Sequence, residues 1–331
     1  MNNSSEQIKL KNSFTVLLKE NKKYFLTFLK LLIAAGLLLF LINWINPSQI
    51  INAIKSANVI YILPPVLLLI PNVYIQFLKW RLTTQSLLND FDDKKIFNSL
   101  FYGFAGGVFT PARIGEYFGR GVAFNDKPIL EISIATFIDK LFLLIIVAFF
   151  GSIASLIFIK IYYKVPVMIA VGLIIVMLIL FYLLFLFISS DYLQKIIKDK
   201  FNQLNKFRII SDSLLIIRQM DRVYSSKMIV LSAMLYICFI IQYAFLVMSF
   251  SNDTHFLQYV LAGNLVMFSK SIIPPVSLGE LGIREGASVF FIIAIGQPAF
   301  VGFNASIFLF IINILLPSIF GLILLIKKNN G

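Results

Sequence analysis

Residues 111–120 read Pro-Ala-Arg-Ile-Gly-Glu-Tyr-Phe-Gly-Arg, and residues 275–284 read Pro-Val-Ser-Leu-Gly-Glu-Leu-Gly-Ile-Arg. Both stretches fit the pattern Pro-x3-Gly-Glu-x3-Arg with the same spacing. Each copy interrupts apolar sequence with a helix breaker, a flexible residue and two opposite charges, which is typical of broken helices at a membrane-buried site. The repeated motif therefore favours a transport function over an enzymatic one.

The composition around the two motifs is that of a membrane protein. Of the 331 residues, 59% are hydrophobic and 14% are charged, and the mean hydropathy is +0.88. A soluble fold needs more polar surface than this chain can supply. The single cysteine, Cys238, lies in an apolar run and leaves no basis for a disulfide or a cysteine-rich metal site. We expect neither a metal nor a cofactor.

Apolar runs long enough to cross about 30 Å of hydrocarbon predict an all-α integral membrane protein with six full transmembrane helices. Two further regions, 96–127 and 256–297, are each split by a motif copy and predict broken or re-entrant helical hairpins. The six predicted crossings lie at about 24–44, 59–78, 129–160, 166–189, 228–250 and 300–326.

The net charge of +13 comes from Lys and Arg that flank the apolar runs, a distribution typical of topology signals and contact with anionic lipid rather than nucleic acid. These basic segments predict cytoplasmic N- and C-termini. The cations counted after the second apolar run are Lys79, Arg81, Lys94 and Lys95. On this count, residues 24–160 and 166–326 form two halves of inverted topology, whose hairpins approach each other from opposite faces.

The chain is predicted to be a single polytopic domain over 24–326, with a cytoplasmic segment at 1–23 and a cytoplasmic tail at 327–331. The connection 190–227 alternates large apolar and basic residues at helical spacing, which predicts an amphipathic helix on the cytoplasmic surface. A solvated linker is the alternative interpretation of that segment.

Within each motif the Glu and Arg are four residues apart, so a helix would place them on one face within pairing distance. A helix end beside a cation suits a lipid phosphate or another anionic headgroup. The alternative is that the pairs only lock the hairpins, although a lock requires no proline and glycine. The predicted hairpin hinges are Pro111, Gly115, Pro275 and Gly279.

Charged residues outside the Glu–Arg pairs extend the candidate site. Asp139 and Lys140 lie inside the 129–160 run and are predicted to meet the first hairpin, unless they simply mark the membrane interface. Lys270 is a candidate buried cation in the second hairpin. The full predicted ligand-binding set is Arg113, Glu116, Arg120, Asp139, Lys140, Lys270, Glu280, Arg284 and Glu285, and no residue is assigned a catalytic role.

Polar side chains within the apolar runs favour helix packing over ligand binding. They are Asn72, Gln76, Asn264, Asn304 and Asn313. The chain has no nucleotide-binding, hydrolase or zinc-protease motif.

Three blocks of sequence resemble the lysylphosphatidylglycerol synthase transmembrane family, also described as flippase-like. They are Gly103 through Arg120, Pro275 through Glu285, and Asp139-Lys140 in place of the family's usual Glu-Arg pair. The resemblance covers nearly the whole chain. In the bacterial multiple peptide resistance factor, such a membrane domain is associated with moving aminoacylated phosphatidylglycerol between leaflets, and a separate soluble domain makes that lipid. Because the chain lacks that soluble domain, we do not expect it to transfer lysine.

The resemblance and the mirrored motifs together predict a flippase-like transporter of an anionic or aminoacylated phospholipid, or of a polyprenyl-phosphate lipid. Two other functions remain open from the sequence. One is a membrane partner of a glycosyltransferase or lipid-synthesising enzyme, with 190–227 as the contact surface. The other is an intramembrane lipid-modifying transferase.

Overall fold

A computed structural model describes residues 47–108, 110, 113–163, 220–273 and 282–329, with a few single residues between 166 and 179. Within these ranges the chain is helical and contains no strand. The α-helices are α1 (Pro47–Lys55), α2 (Val59–Leu67), α3 (Leu69–Leu88), α4 (Asp93–Val108), α5 (Gly115–Gly121), α6 (Ile129–Tyr163), α7 (Arg222–Ser251), α8 (Phe256–Ile272), α9 (Ile283–Ala294), α10 (Ala299–Phe310) and α11 (Leu316–Asn329). A π-helical segment, Ile311–Leu315, joins α10 to α11.

Four helical stretches in the described ranges are long and apolar enough to cross a membrane: Val59–Leu88, Ile129–Tyr163, Arg222–Ser251 and Ala299–Lys328. They coincide with four of the six crossings expected from the sequence. The expected crossing at 24–44 lies outside the described residues, and that at 166–189 lies mostly outside them.

Side-chain caps and one sharp turn set several helix ends. Asp221 accepts a hydrogen bond from the backbone N–H of Tyr224 at 2.6 Å and caps α7. The Asp92 side chain caps the first turn of α4 by accepting hydrogen bonds from the backbone N–H groups of Lys94 and Lys95. At the end of α7, Asn252 adopts a left-handed conformation with φ of 55°, which asparagine tolerates well.

Two boundaries differ from the sequence prediction. The helix α7 begins at Arg222, so the end of the predicted amphipathic connection 190–227 belongs to a membrane-crossing helix, and the rest lies outside the described residues. The helix α11 continues to Asn329 and includes Lys327 and Lys328, which were expected in a tail. Both lysines fit the last turn of a helix because its exposed carbonyl groups attract cations.

Each predicted hairpin region contains a pair of short helices. The first pair is α4 and α5, of 16 and 7 residues, and the second is α8 and α9, of 17 and 12 residues. All four are shorter than the roughly 20 residues that a single crossing needs. The order of a long helical stretch, a pair of short helices and a second long stretch therefore occurs twice along the chain.

The last crossing packs against both pairs of short helices. The Ser318 hydroxyl of α11 donates to the carbonyl of Phe104 in α4 at 2.9 Å. One helix earlier, Ser306 of α10 contacts the side chains of Arg284 and Glu285 in α9. The last crossing thus contacts both short-helix pairs.

Buried amides join the membrane-crossing helices, as the sequence predicted for Asn72, Gln76 and Asn313. The carbonyl oxygen of Gln242 accepts from Asn313 at 2.9 Å and from Asn72 at 3.4 Å. Gln76 donates to Asn72 at 2.7 Å. The side chain of Asn304 donates to the carbonyl of Ile50, and Asn264 pairs with the hydroxyl of Tyr236. Such bonds satisfy polar groups that lipid cannot.

Candidate functional site

The turn between α4 and α5 sets the geometry of the first motif. A Cβ atom on Gly115 would overlap the carbonyl oxygen of Gly106, so only glycine permits the two helices to lie this close. The Thr110 hydroxyl donates to the Gly106 carbonyl at 3.1 Å and accepts from the Gly115 N–H at 2.7 Å. Arg113 has a φ of 54°, and such conformations are concentrated at functional sites in non-glycine residues.

Glu116 is a buried carboxylate at the centre of a cluster of cations. Its Oε2 lies 3.0 Å from Nη2 of Arg113 and 2.8 Å from Nζ of Lys140, and its Oε1 lies 2.9 Å from Nη2 of Arg120. The Glu116–Arg120 pair is the i,i+4 contact that the motif spacing predicts. The contact with Lys140 brings α6 against the first hairpin, as the sequence predicted.

A second carboxylate extends this cluster towards α3. Oδ2 of Asp139 accepts from Nη1 of Arg120 at 3.0 Å, and Nζ of Lys79 lies 3.6 Å from Oδ1 of the same carboxylate. The guanidinium of Arg120 also lies 4.3 Å above the ring of Trp80, in the geometry of a cation–π contact. Arg120 is therefore held by two carboxylates and an indole ring.

Counted over the described residues, this cluster carries more positive than negative formal charge. Four cations, Arg113, Arg120, Lys140 and Lys79, are connected to two carboxylates, Glu116 and Asp139, which gives a formal charge of +2 for these six residues. Buried charges are costly unless they are paired. An excess of two cations is consequently a site at which an anion would be stabilised.

A cavity of about 330 Å³ opens against this cluster. The side chain of Arg120 is 3% exposed, whereas those of Arg113 and Lys140 are 18% and 32% exposed. Arg120 therefore lies at the floor, and Arg113 and Lys140 lie at the rim. The remaining walls come from α3, α7 and α8 and include Gln76, Tyr236, Phe239, Met267, Lys270 and Ser271.

The second motif forms a different cluster. Nη2 of Arg284 lies 2.6 Å from Oε1 of Glu285, and Nε of Arg284 donates to the Ser306 hydroxyl at 3.0 Å. The other carboxylate oxygen of Glu285 accepts from the backbone N–H of Gly282 at 2.6 Å. Neither Arg284 nor Glu285 lines the cavity beside Glu116. The structure thus separates the predicted binding residues into two groups.

One cavity is lined by six of the predicted site residues: Arg113, Glu116, Arg120, Asp139, Lys140 and Lys270. Arg284 and Glu285 form the separate pair, and Glu280 lies outside the described residues together with Pro111, Pro275 and Gly279. Among the described residues, no three His, Cys, Asp or Glu side chains are grouped so that they could hold a metal ion.

Lys79 is the site residue that sequence analysis missed. The sequence predicts Lys79 to be a cation that sets membrane topology. In the structure its side chain is only 4% exposed, and its Nζ donates to the backbone carbonyl of Asp139 at 3.0 Å. Neighbouring Trp80 is fully buried, and its indole N–H donates to Ser99. A Lys-Trp pair at the end of an apolar run was the available signal.

A polar anchor lies where α5 connects to α6. Nζ of Lys95 lies 2.6 Å from Asp90 and 2.7 Å from Asp126. The hydrogen bond from Lys95 lowers the pKa of the Asp126 carboxyl below its usual value. The anchor joins the first residues of α4 to the connection that follows α5.

The all-helical fold, its membrane-crossing helices and the charged cavity between them define a multi-pass membrane protein. The chain belongs to the family described as the lysylphosphatidylglycerol synthase TM region, whose model matches residues 27–321. The comparisons with curated proteins and with solved structures found no match. Family membership is consistent with a membrane role that involves lipid.

Proposed function

We propose that this protein moves a phosphate-bearing lipid, either anionic or aminoacylated, between the leaflets of a bacterial inner membrane, with the headgroup in the cavity beside Glu116. The main support is the excess of cations there: four cations and two carboxylates surround a space that is open at its rim. Phosphatidylglycerol, its lysyl derivative and polyprenyl phosphates all carry the phosphate that such a site recognises.

Glu116 acts in this proposal as an internal substitute for the ligand. Its Oε2 holds both rim cations, Arg113 and Lys140, at 3.0 and 2.8 Å. A phosphate oxygen is the same kind of acceptor, so it can replace Oε2 at the rim while Arg120 continues to hold Oε1. Exchanging one anionic partner for another avoids leaving a buried cation unpaired, and return of Glu116 would then release the lipid.

The inverted arrangement of halves, with cytoplasmic termini, belongs to the same proposal. The repeated order of a long helix, a short pair and a long helix supports it. In transporters built from inverted repeats, the two halves alternate in opening the central site to either side of the membrane. That motion would carry a headgroup across while its chains remain in lipid.

Leaflet exchange in proteoliposomes tests this function. Fluorescent phosphatidylglycerol, lysyl-phosphatidylglycerol and a polyprenyl phosphate would be compared for wild type, Lys140→Ala and Lys160→Ala at matched incorporation. Loss of one charge-assisted contact to phosphate should slow exchange by about tenfold or more in Lys140→Ala. Lys160 is an exposed residue of the same helix, and its variant should exchange lipid as wild type does.

Two results would contradict the proposal. One is equal exchange by wild type and Lys140→Ala. The other is the absence of exchange for all three lipids in protein whose thermal unfolding shows that it is folded.

A further inference from the structure

A second space adjoins the charged cavity along the seam between α6 and α8. It is a groove of about 340 Å³, lined by Phe150, Ile153, Ala154, Ile157, Leu257, Val260, Leu261 and Asn264. Asn264 is the polar member of this lining, and its side-chain amide already donates to the carbonyl of Val260. The groove therefore offers an apolar surface.

Three side chains connect this groove to the charged cavity. Tyr236 lines the cavity, and both of its partners line the groove. Its hydroxyl donates to the carbonyl oxygen of Asn264, and its ring stacks on that of Phe150 with centroids 5.6 Å apart and planes 19° apart. The two spaces thus lie on opposite sides of one contact, and Phe150 is 42% exposed beside it.

The spacing along α6 matches the dimensions of a lipid. The groove residues Phe150 and Ile157 follow Lys140 on the same helix, at a rise of about 1.5 Å per residue, so they lie about 15 to 25 Å from it along the axis. One leaflet contributes about half of a hydrocarbon core of roughly 30 Å. A headgroup at Lys140 would therefore bring the end of its acyl chain to the near part of the groove, at Phe150.

We propose that the α6–α8 groove binds an acyl chain of the lipid whose headgroup occupies the charged cavity. This inference rests on the proposed function and adds to it a defined chain-binding surface. The occupant is one lipid molecule that spans both spaces, so its position in the groove depends on the charged rim. A groove that merely faces bulk lipid would show no such dependence.

Photo-crosslinking in phosphatidylcholine proteoliposomes tests the link between rim and groove. The full chain would be labelled with phosphatidylglycerol bearing a diazirine near the end of one acyl chain, or with phosphatidylcholine bearing the same chain, and labelled peptides would be mapped. We expect phosphatidylglycerol to label residues 150–157 and 257–264 about tenfold more than phosphatidylcholine. Lys140→Ala should remove that preference, and Lys160→Ala should retain it.

Equal labelling of the groove by the two lipids, or an unchanged preference in Lys140→Ala, would overturn the inference. Leaflet exchange measured on the same vesicles separates the two proposals. If leaflet exchange depends on Lys140 but the groove is not labelled preferentially, the transport function is supported and the acyl-chain site in the groove is wrong. Absence of both exchange and preference would remove both.

Discussion

The described residues of the two motif copies form clusters that differ in charge balance. Around Glu116, four cations face two carboxylates at the edge of a cavity. Around Glu285, one arginine faces one carboxylate, and the side chains of Arg284 and Glu285 are 3% and 0% exposed. Among the described residues, the first motif therefore forms an open site with excess charge, and Arg284 of the second motif forms a closed, neutral pair with Glu285. The difference teaches that a shared motif spacing does not by itself fix the charge balance of the cluster that forms around it.

The largest expected effect comes from breaking the closed pair. Arg284→Met would leave Glu285 charged and buried, which typically costs about 3–5 kcal/mol. The free energy of unfolding in mixed micelles would measure this loss. Lys140→Ala is the matched change at the open cluster, where Arg113 and Arg120 still hold Glu116. Because Lys140 is 32% exposed, its loss should cost no more than about 1 kcal/mol.

The double variant Arg284→Met with Glu285→Gln provides the control. It removes the buried charge, so it should be more stable than Arg284→Met alone. If Arg284→Met and Lys140→Ala destabilise the protein equally, the contrast between a closed and an open cluster is wrong.

An intermediate effect is expected at two glycines, one near each motif. Gly115→Ala should lower the free energy of unfolding by about 1–3 kcal/mol, because the added methyl group overlaps the Gly106 carbonyl and must displace a hairpin helix. At Gly286 in α9, no side chain or neighbouring element of the described residues lies within 4 Å of the corresponding Cβ position. Gly286→Ala should raise stability by about 0.5–1 kcal/mol, since alanine is the better helix former.

The same unfolding measurement decides the glycine comparison. Comparable responses at Gly115 and Gly286 would mean that the close approach of α4 and α5 is not what holds the first hairpin.

The smallest expected effect concerns the ion pair between Lys95 and Asp126 beside the first pair of short helices. The described residues of the second pair, α8 and α9, have no equivalent ion pair between a lysine and an aspartate. The folded pKa of Asp126 lies below its usual value of about 3.9, so the contact with Lys95 stabilises the protein fully above that value. The contribution is lost as the pH falls through the lower folded pKa. Asp126→Asn should therefore lower the midpoint of thermal unfolding slightly at pH 7, and the gap to wild type should narrow as the pH falls from 5 to 3. A gap that stays constant over this range would contradict the assignment.

Local features of the fold were predictable because they depend on neighbouring residues. Apolar run length located the four described crossings, and the i,i+4 spacing predicted the Glu116–Arg120 contact. The association of Asp139 and Lys140 with the first hairpin followed from charges placed deep in an apolar run. The inverted orientation of the halves remains a prediction.

Other contacts depend on tertiary packing that sequence spacing does not encode. Lys79 and Asp139 are 60 residues apart in the chain, and only the packing of α3 on α6 brings them together. Arg284 and Glu285 are adjacent, and adjacent residues do not normally face each other on a helix. They meet because Glu285 lies in the first turn of α9, where its bond to the Gly282 N–H turns one oxygen back and leaves the other for Arg284.

The π-helical segment at Ile311–Leu315 sets the rotational phase of the last crossing. A π-bulge adds one residue to a turn, which rotates the helix that follows it by about 100°. Ser306, before the segment, contacts α9, and Ser318, after it, contacts α4. The two ends of one continuous helix thus contact different short-helix pairs. The five residues between these contacts fix which face of the helix each pair meets, because their backbone winding differs from that of the helices on both sides.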